Sequence, residues 1–149
     1  VSAPRPAPAD ARVARIVDYF ESLSPEALQR LGEVYSDGAR FKDPFNEVAG
    51  VPAIREVFEH MYRALDEPRF VVQEAVTEGD QCFLTWDFVF RFKRFTPDLQ
   101  AVRGASHLRL DAAGRIEMHR DYWDVAEELY EKLPAVGSLM RWLKRRARS

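Results

Sequence analysis

The sequence predicts an α+β domain in which helices come first and a long, curved, mostly antiparallel sheet follows. Two observations carry this. Up to Pro68, apolar residues recur at helical spacing; from Arg69 to Trp123 they alternate with polar ones in long runs broken by short turns. Helices followed by consecutive strands is the α+β order. Three N-terminal helices laid on the concave face of such a sheet form a cone with a pocket at its open end. The 149 residues and 46% apolar content suit one domain. At this size about 68–70% of the unfolded surface is buried on folding, so no disulfide or metal staple is needed.

Asp10 is placed to cap a first helix, whose stripe is Val13, Ile16, Val17 and Phe20. Ser24-Pro25-Glu26 starts a second, with proline where its missing N–H costs nothing; Leu28, Leu31 and Tyr35 form its inner face and Gly38 follows its end. Arg40 to Asp43 alternates before Pro44 stops it. Gly50-Val51-Pro52 opens a third helix with Ile54, Val57, Phe58, Met61 and Leu65 inward and Pro68 at its close. Strands are expected over Arg69–Glu78, Cys82–Arg94, Gln100–Leu110 and Arg115–Trp123, with turns at Glu78-Gly79-Asp80, Thr96-Pro97-Asp98 and Asp111–Gly114. The second strand presents Cys82, Leu84, Trp86, Phe88, Phe90 and Phe92 on one face. Helical spacing returns over Val125–Lys132, capped by Asp124, is interrupted by Pro134 and Gly137, and resumes over Ser138–Arg148. The expected organisation is a disordered, proline-rich lead-in at 1–9, one domain at 10–132 and a basic amphipathic helix at 133–149.

Composition excludes several function classes. A net charge of −2 argues against a general nucleic-acid coat. A single cysteine, Cys82, excludes an internal disulfide and a cysteine zinc cluster, and its apolar strand neighbours suggest an inert core thiol. His60, His107 and His119 lie too far apart for a short-spaced metal motif. No stretch approaches the roughly 18 apolar residues of a membrane span, and the N-terminus carries no apolar signal core, so a cytoplasmic protein is expected.

Three segments carry a family resemblance: Tyr35-Ser36-Asp37-Gly38-Ala39-Arg40-Phe41-Lys42-Asp43-Pro44, Gly50-Val51-Pro52-Ala53-Ile54-Arg55 and Gly114-Arg115-Ile116-Glu117-Met118-His119. With the order of elements over about residues 10–132, they resemble the nuclear transport factor 2-like (NTF2-like) superfamily, which includes ketosteroid isomerases and SnoaL-type polyketide cyclases. The superfold hosts enzymes, binders and scaffolds alike. The resemblance implies an NTF2-like cone, no cofactor, and proton transfer on a small apolar carbonyl compound, with a non-catalytic ligand binder or interaction module as the alternative. It places Asp43 at the proton-shuttling carboxylate of the isomerases and Tyr19 at their oxyanion-hole tyrosine. Their third member, an aspartic acid, aligns with Ser106, which departs from the isomerase pattern. Asp121, shortly after His119, is similar to the acid/base aspartate of the cyclases. Arg103-Gly104-Ala105 lacks the aspartate of the limonene-epoxide-hydrolase relatives, which argues against that chemistry.

Phe41, Phe45, Phe58, Trp86, Phe88, Ser106 and Trp123 are the expected ligand-lining residues, and their rings would desolvate a base such as Asp43. The competing reading of Asp43 is an aspartate that begins the turn at Pro44, and that of Tyr19 a ring on the core with its hydroxyl in water. His119, Asp121 and Trp123 share one face of the last strand, but a bulge would exchange faces, so the pattern alone leaves open an acid/base pair or a surface salt-bridge strip. His107, between Arg103 and Arg109, points to the outer side of the sheet, through which a homodimer is expected.

The final ten residues carry Arg141, Lys144, Arg145, Arg146 and Arg148 and no acid, so from a net −2 the rest of the chain holds −7. Val136, Leu139, Met140 and Leu143 form an apolar stripe with Trp142 beside it. The preferred expectation is that this stripe packs on the body or a second subunit; the alternative is that it lies on an anionic membrane.

Overall fold

The computed structural model describes residues 5–93, 97–130 and 134–147, with the side chains of 134–136 and Met140 left aside. The expected end points Arg94, Lys132 and Arg148, the turn residue Thr96, and the side chains of Val136 and Met140 therefore lie outside the described residues.

The chain runs α1 (Ala11–Glu21), a 3₁₀ turn (Glu26–Arg30), α2 (Leu31–Val34), β1 (Tyr35–Lys42), β2 (Glu47–Ala49) and α3 (Val51–Ala64). It continues through β3 (Leu65–Glu78), β4 (Gln81–Phe92), β5 (Leu99–Leu110), β6 (Ile116–Tyr122), α4 (Val125–Glu128) and α5 (Pro134–Ala147). The strands form one sheet in the order β2-β1-β6-β5-β4-β3. Only the β1–β6 pair is parallel. The sheet is strongly curved: α3 packs on both β1 and β3, four strand spacings apart, about 19 Å if flat, whereas a helix is only about 10–12 Å across.

Asp10 caps α1 as expected, its side chain accepting from the Arg12 N–H, and Val13, Ile16, Val17 and Phe20 are buried. The lead-in is fastened where it is described: Arg5 Nε donates to the Val72 carbonyl (3.1 Å) and its guanidinium pairs with Glu21 (3.0 Å). The expected second helix is a correction. It shortens to the 3₁₀ turn and the single turn of α2, because Tyr35 already pairs with Ile116 of β6 and starts β1. The third helix also ends early, at Ala64, rather than at Pro68. Pro68 lies inside β3, which tolerates it because β3 is an edge strand and its pairing with β4 shifts register between Asp66 and Arg69.

Unforeseen is β2, which the Asp43–Asn46 turn folds back on β1 so that Phe41 faces Val48. β4 turns its predicted face inward, with Cys82, Leu84, Trp86 and Phe90 buried. Cys82 is a free, buried thiol, and burial pushes its pKa up. Asp124 caps α4, accepting from the Glu127 N–H at 3.1 Å. Pro134 starts α5 instead of interrupting a helix, at the position where proline is tolerated best, and Gly137 lies within it. The tail expectation needs correction at two of its four stripe residues: Leu139 and Leu143 are exposed, while Gly137 of α5 is buried and Lys144 pairs with Glu127 of α4.

Candidate functional site

The inner faces of β4 and β6, the end of β1 and one side of α3 enclose a cavity of about 280 Å³. Aromatic rings dominate its wall. Phe70 stacks on Phe88 (centroids 4.6 Å apart), Phe88 leans on Phe90 (5.1 Å), and Phe45 meets Trp123 edge-on (5.6 Å). This volume suits a small ligand with planar or apolar faces. Asp43 and Asp121 are the two carboxylates in the wall.

Asp121 reaches the cavity because of one bulge. Leu110 pairs with Ile116, but from Arg109 onward the register shifts by one, so Arg109 pairs with Met118 and Ser106 with Asp121. The bulged position, Glu117, leaves Ile116 buried while also turning His119 inward. Met118, Arg120 and Tyr122 take the outer face, and Tyr122 is exposed.

Asp121 sits in a buried hydrogen-bond chain. Trp86 Nε1 donates to Ser106 Oγ (2.8 Å), Ser106 Oγ donates to Asp121 Oδ1 (2.5 Å), and His119 Nε2 donates to the same oxygen (2.6 Å). Tyr35 Oη lies 2.6 Å from His119 Nδ1. Burial first, and the negative Asp121 second, push the Tyr35 pKa well above the ordinary tyrosine range, so its hydroxyl keeps the proton it needs to donate. With Tyr35 as donor to Nδ1, His119 is the tautomer with its proton on Nε2, aimed at Asp121. Both bonds to Asp121 fall on Oδ1; Oδ2 has no hydrogen-bond partner among the described residues and is the oxygen left for a ligand. Next to this chain, a void of about 30 Å³ is bounded mainly by apolar groups such as Phe20, Val72, Leu84 and Leu108.

Gly104 makes the arrangement possible. It pairs with Trp86 across β4 and β5, and a Cβ there would stand 2.3 Å from the indole. The missing side chain lets the ring lie flat over β5 and reach Ser106.

Asp43 lines the cavity, yet its carboxylate also builds the turn. Oδ1 accepts from the N–H groups of Phe45 (2.8 Å) and Asn46 (2.6 Å), and Asn46 Nδ2 reaches both oxygens (3.1 Å each). Of the expected lining residues, Phe41, Phe45, Phe58, Trp86, Phe88 and Trp123 border the cavity, with Phe45 at its exposed rim. Ser106 and His119 border the smaller void, where they meet Asp121.

Tyr19 is the correction. It is absent from the cavity wall, because its buried hydroxyl donates to the Ala27 carbonyl at 2.8 Å, holding α1 to the 3₁₀ turn. Burial raises its pKa, as expected for a structural tyrosine. The tyrosine that reaches His119 is Tyr35, which helical spacing assigned to the second helix; its strand pairing with β6 is the signal that reveals it. Ser106, where the resemblance implies an aspartate, faces Asp121 of the neighbouring strand directly. No group of side chains suited to hold a metal ion occurs among the described residues.

A family model, SnoaL-like domain, matches residues 16–119. No curated protein matches the sequence. Among solved structures, a hypothetical protein with a ketosteroid isomerase-like fold from Catenulispora acidiphila, in complex with trimethylamine, is similar at 18% identity and TM-score 0.68, covering 80% of this chain and 89% of its own. A protein of Shewanella putrefaciens described as a SnoaL-like polyketide cyclase has 18% identity and TM-score 0.68 over 82% of this chain and 98% of its own. An epoxide hydrolase of M. tuberculosis, LEH-like, has 17% identity and TM-score 0.66 over 81% and 89%. At such identities these structures share the fold alone. With the family model spanning most of the sequence and the curved sheet in place, the chain belongs to the SnoaL-like domain family and has its NTF2-like, ketosteroid isomerase-like fold.

Proposed function

We propose that the protein moves a proton on a small, largely apolar carbonyl compound held in the aromatic cavity, with Asp121 as the base. One observation carries this reading: Asp121 borders an aromatic cavity with one carboxylate oxygen, Oδ1, held by Ser106 and His119 and the other, Oδ2, without a hydrogen-bond partner among the described residues. A base so fixed needs no reorganisation when it meets a C–H bond beside a carbonyl. Asp121 takes that proton and the electron pair moves onto the carbonyl oxygen as an enolate; where the substrate carries a β,γ double bond this is a dienolate, and return of the proton to its γ-carbon completes an isomerisation. Attack of the enolate carbon on a second carbonyl of the same molecule would instead close a ring, the second carbonyl's π pair becoming an alkoxide that takes the proton back from Asp121. Tyr35 acts as a positioning residue through His119. Asp43, already held by three donor groups, is the second acid/base candidate.

A non-catalytic binder uses the same cavity, and substitution separates the two. Asp121→Asn keeps the shape and removes the basicity, so it should abolish turnover of a ketone found by screening and change its affinity by less than about tenfold. Turnover that survives in Asp121→Asn and disappears in Asp43→Asn would transfer the role to Asp43. Ketones that bind the unaltered protein without conversion would favour the binder. The outer sheet face supports a homodimer contact: Phe83, half-exposed, stacks on His107 (4.4 Å), with exposed Val76 and Tyr122 nearby. Phe83→Glu should turn a dimer into a monomer in sedimentation velocity; a monomeric parent protein would reject it.

A further inference from the structure

We infer that α5 docks the protein on an anionic lipid surface. The helix carries Leu139, Trp142, Leu143 and Arg146 on one side, at spacings that make them neighbours. Leu139, Trp142 and Leu143 are 54%, 45% and 43% exposed. The opposite side is the one turned to the body, with Gly137 buried and Lys144 Nζ 4.0 Å from Glu127 of α4. Leu139, Trp142 and Leu143 lie on the side away from these two contacts and are available to another surface.

Charge selects the occupant. Residues 134–147 include Arg141, Lys144, Arg145 and Arg146 and no acid, whereas the chain outside its last ten residues carries −7. An anionic surface would attract the helix and repel the rest, which orients the molecule with α5 down. The apolar side itself contains a cation: the Arg146 guanidinium lies 5.3 Å from the centre of the Trp142 ring. Indole and guanidinium together suit the headgroup level of a bilayer, and four cations without an acid on one short helix suit an anionic one. At 14 residues the helix is about 21 Å long, too short for the roughly 30 Å hydrocarbon core, so it lies on the surface. No helix among the described residues is long and apolar enough to cross a membrane.

Cosedimentation of the full chain with phosphatidylcholine vesicles, with and without phosphatidylserine, tests the inference. Binding should require phosphatidylserine, fall as salt is raised, and vanish in Leu139→Glu/Leu143→Glu. Arg145→Gln and Arg146→Gln should each lower the vesicle partition about fivefold. Melting curves check that each surface variant is folded, and the arginine pair serves if the leucine pair is not. Absence of binding to phosphatidylserine vesicles, or binding indifferent to the arginine pair, would overturn the inference. So would self-association that disappears in Leu139→Glu/Leu143→Glu without vesicle binding by the parent, since the face would then join two copies of the chain.

Discussion

Replacing Tyr35 with phenylalanine removes one oxygen from the most buried part of the site. Tyr35 has 0% and His119 5% relative exposure, and their hydrogen bond is 2.6 Å long. In Tyr35→Phe, Nδ1 of His119 loses its donor. The adjacent void has room for about one water, but its largely apolar wall supplies few of the two to four partners a buried water needs. The cost is therefore that of an unsatisfied buried acceptor, about 1–3 kcal/mol. For a domain of this length, 1 kcal/mol shifts Tm by about 2–4 °C, so the variant should melt about 2–12 °C lower. Differential scanning calorimetry measures the shift, and ¹⁵N NMR of the imidazole reads the tautomer. The parent should show the Nε2–H form, and the variant a mixture or a changed form. A Tm within about 1 °C of the parent together with an unchanged tautomer would refute the claim that Tyr35 sets the state of His119.

Gly104→Ala should push the Trp86 ring off Ser106, cost about 1–3 kcal/mol by overpacking, and change tryptophan fluorescence; an unaltered spectrum and Tm would show that the ring has room. Tyr62 Oη is buried with no hydrogen-bond partner among the described residues, so Tyr62→Phe should raise stability by about 1 kcal/mol, and a fall in the urea midpoint would contradict it. Burial raises Tyr19, raises Tyr35 further, and pushes Tyr62 up to about 12, against an ordinary value of 10.0. The folded protein therefore keeps protons that the unfolded chain has released. Stability contributed by these groups is full below pH 10.0, falls through about pH 12, and should fall less steeply in Tyr62→Phe, as urea titrations across that window would show.

The long strands were legible because period-two alternation survives whatever the strands pair with. The face from Cys82 to Phe92, and through it much of the cavity wall, follows from that alone. The caps at Asp10 and Asp124 were legible for a similar reason, being local chemistry. Tyr35 was not, since Leu28, Leu31 and Tyr35 fit a helical stripe and only pairing with β6 makes Tyr35 a strand residue. The meeting of Ser106 with Asp121 depends on the bulge at Glu117. Had the register set by Leu110 and Ile116 continued, Ser106 would face Arg120, and Asp121 would point to the outer surface. A single residue of register thus decides whether the carboxylate is inside, and no pattern in the strand announces it. Tyr19 shows the reverse error: its place on the first helix agreed with the family, but its hydroxyl is used by the Ala27 carbonyl, which lies eight residues on and meets it only through the fold.

Proton transfer by Asp121 is tested most directly by isotope exchange, which needs no knowledge of the product. A ketone that binds the cavity is incubated with the protein in deuterium oxide, and proton NMR follows its α-hydrogens. Loss of the α-proton signal with the parent protein, at a rate well above buffer and reduced to the buffer rate in Asp121→Asn, is the predicted result. Exchange at the same rate in the parent and in Asp121→Asn would contradict it, as would exchange no faster than buffer for every ketone shown to occupy the cavity.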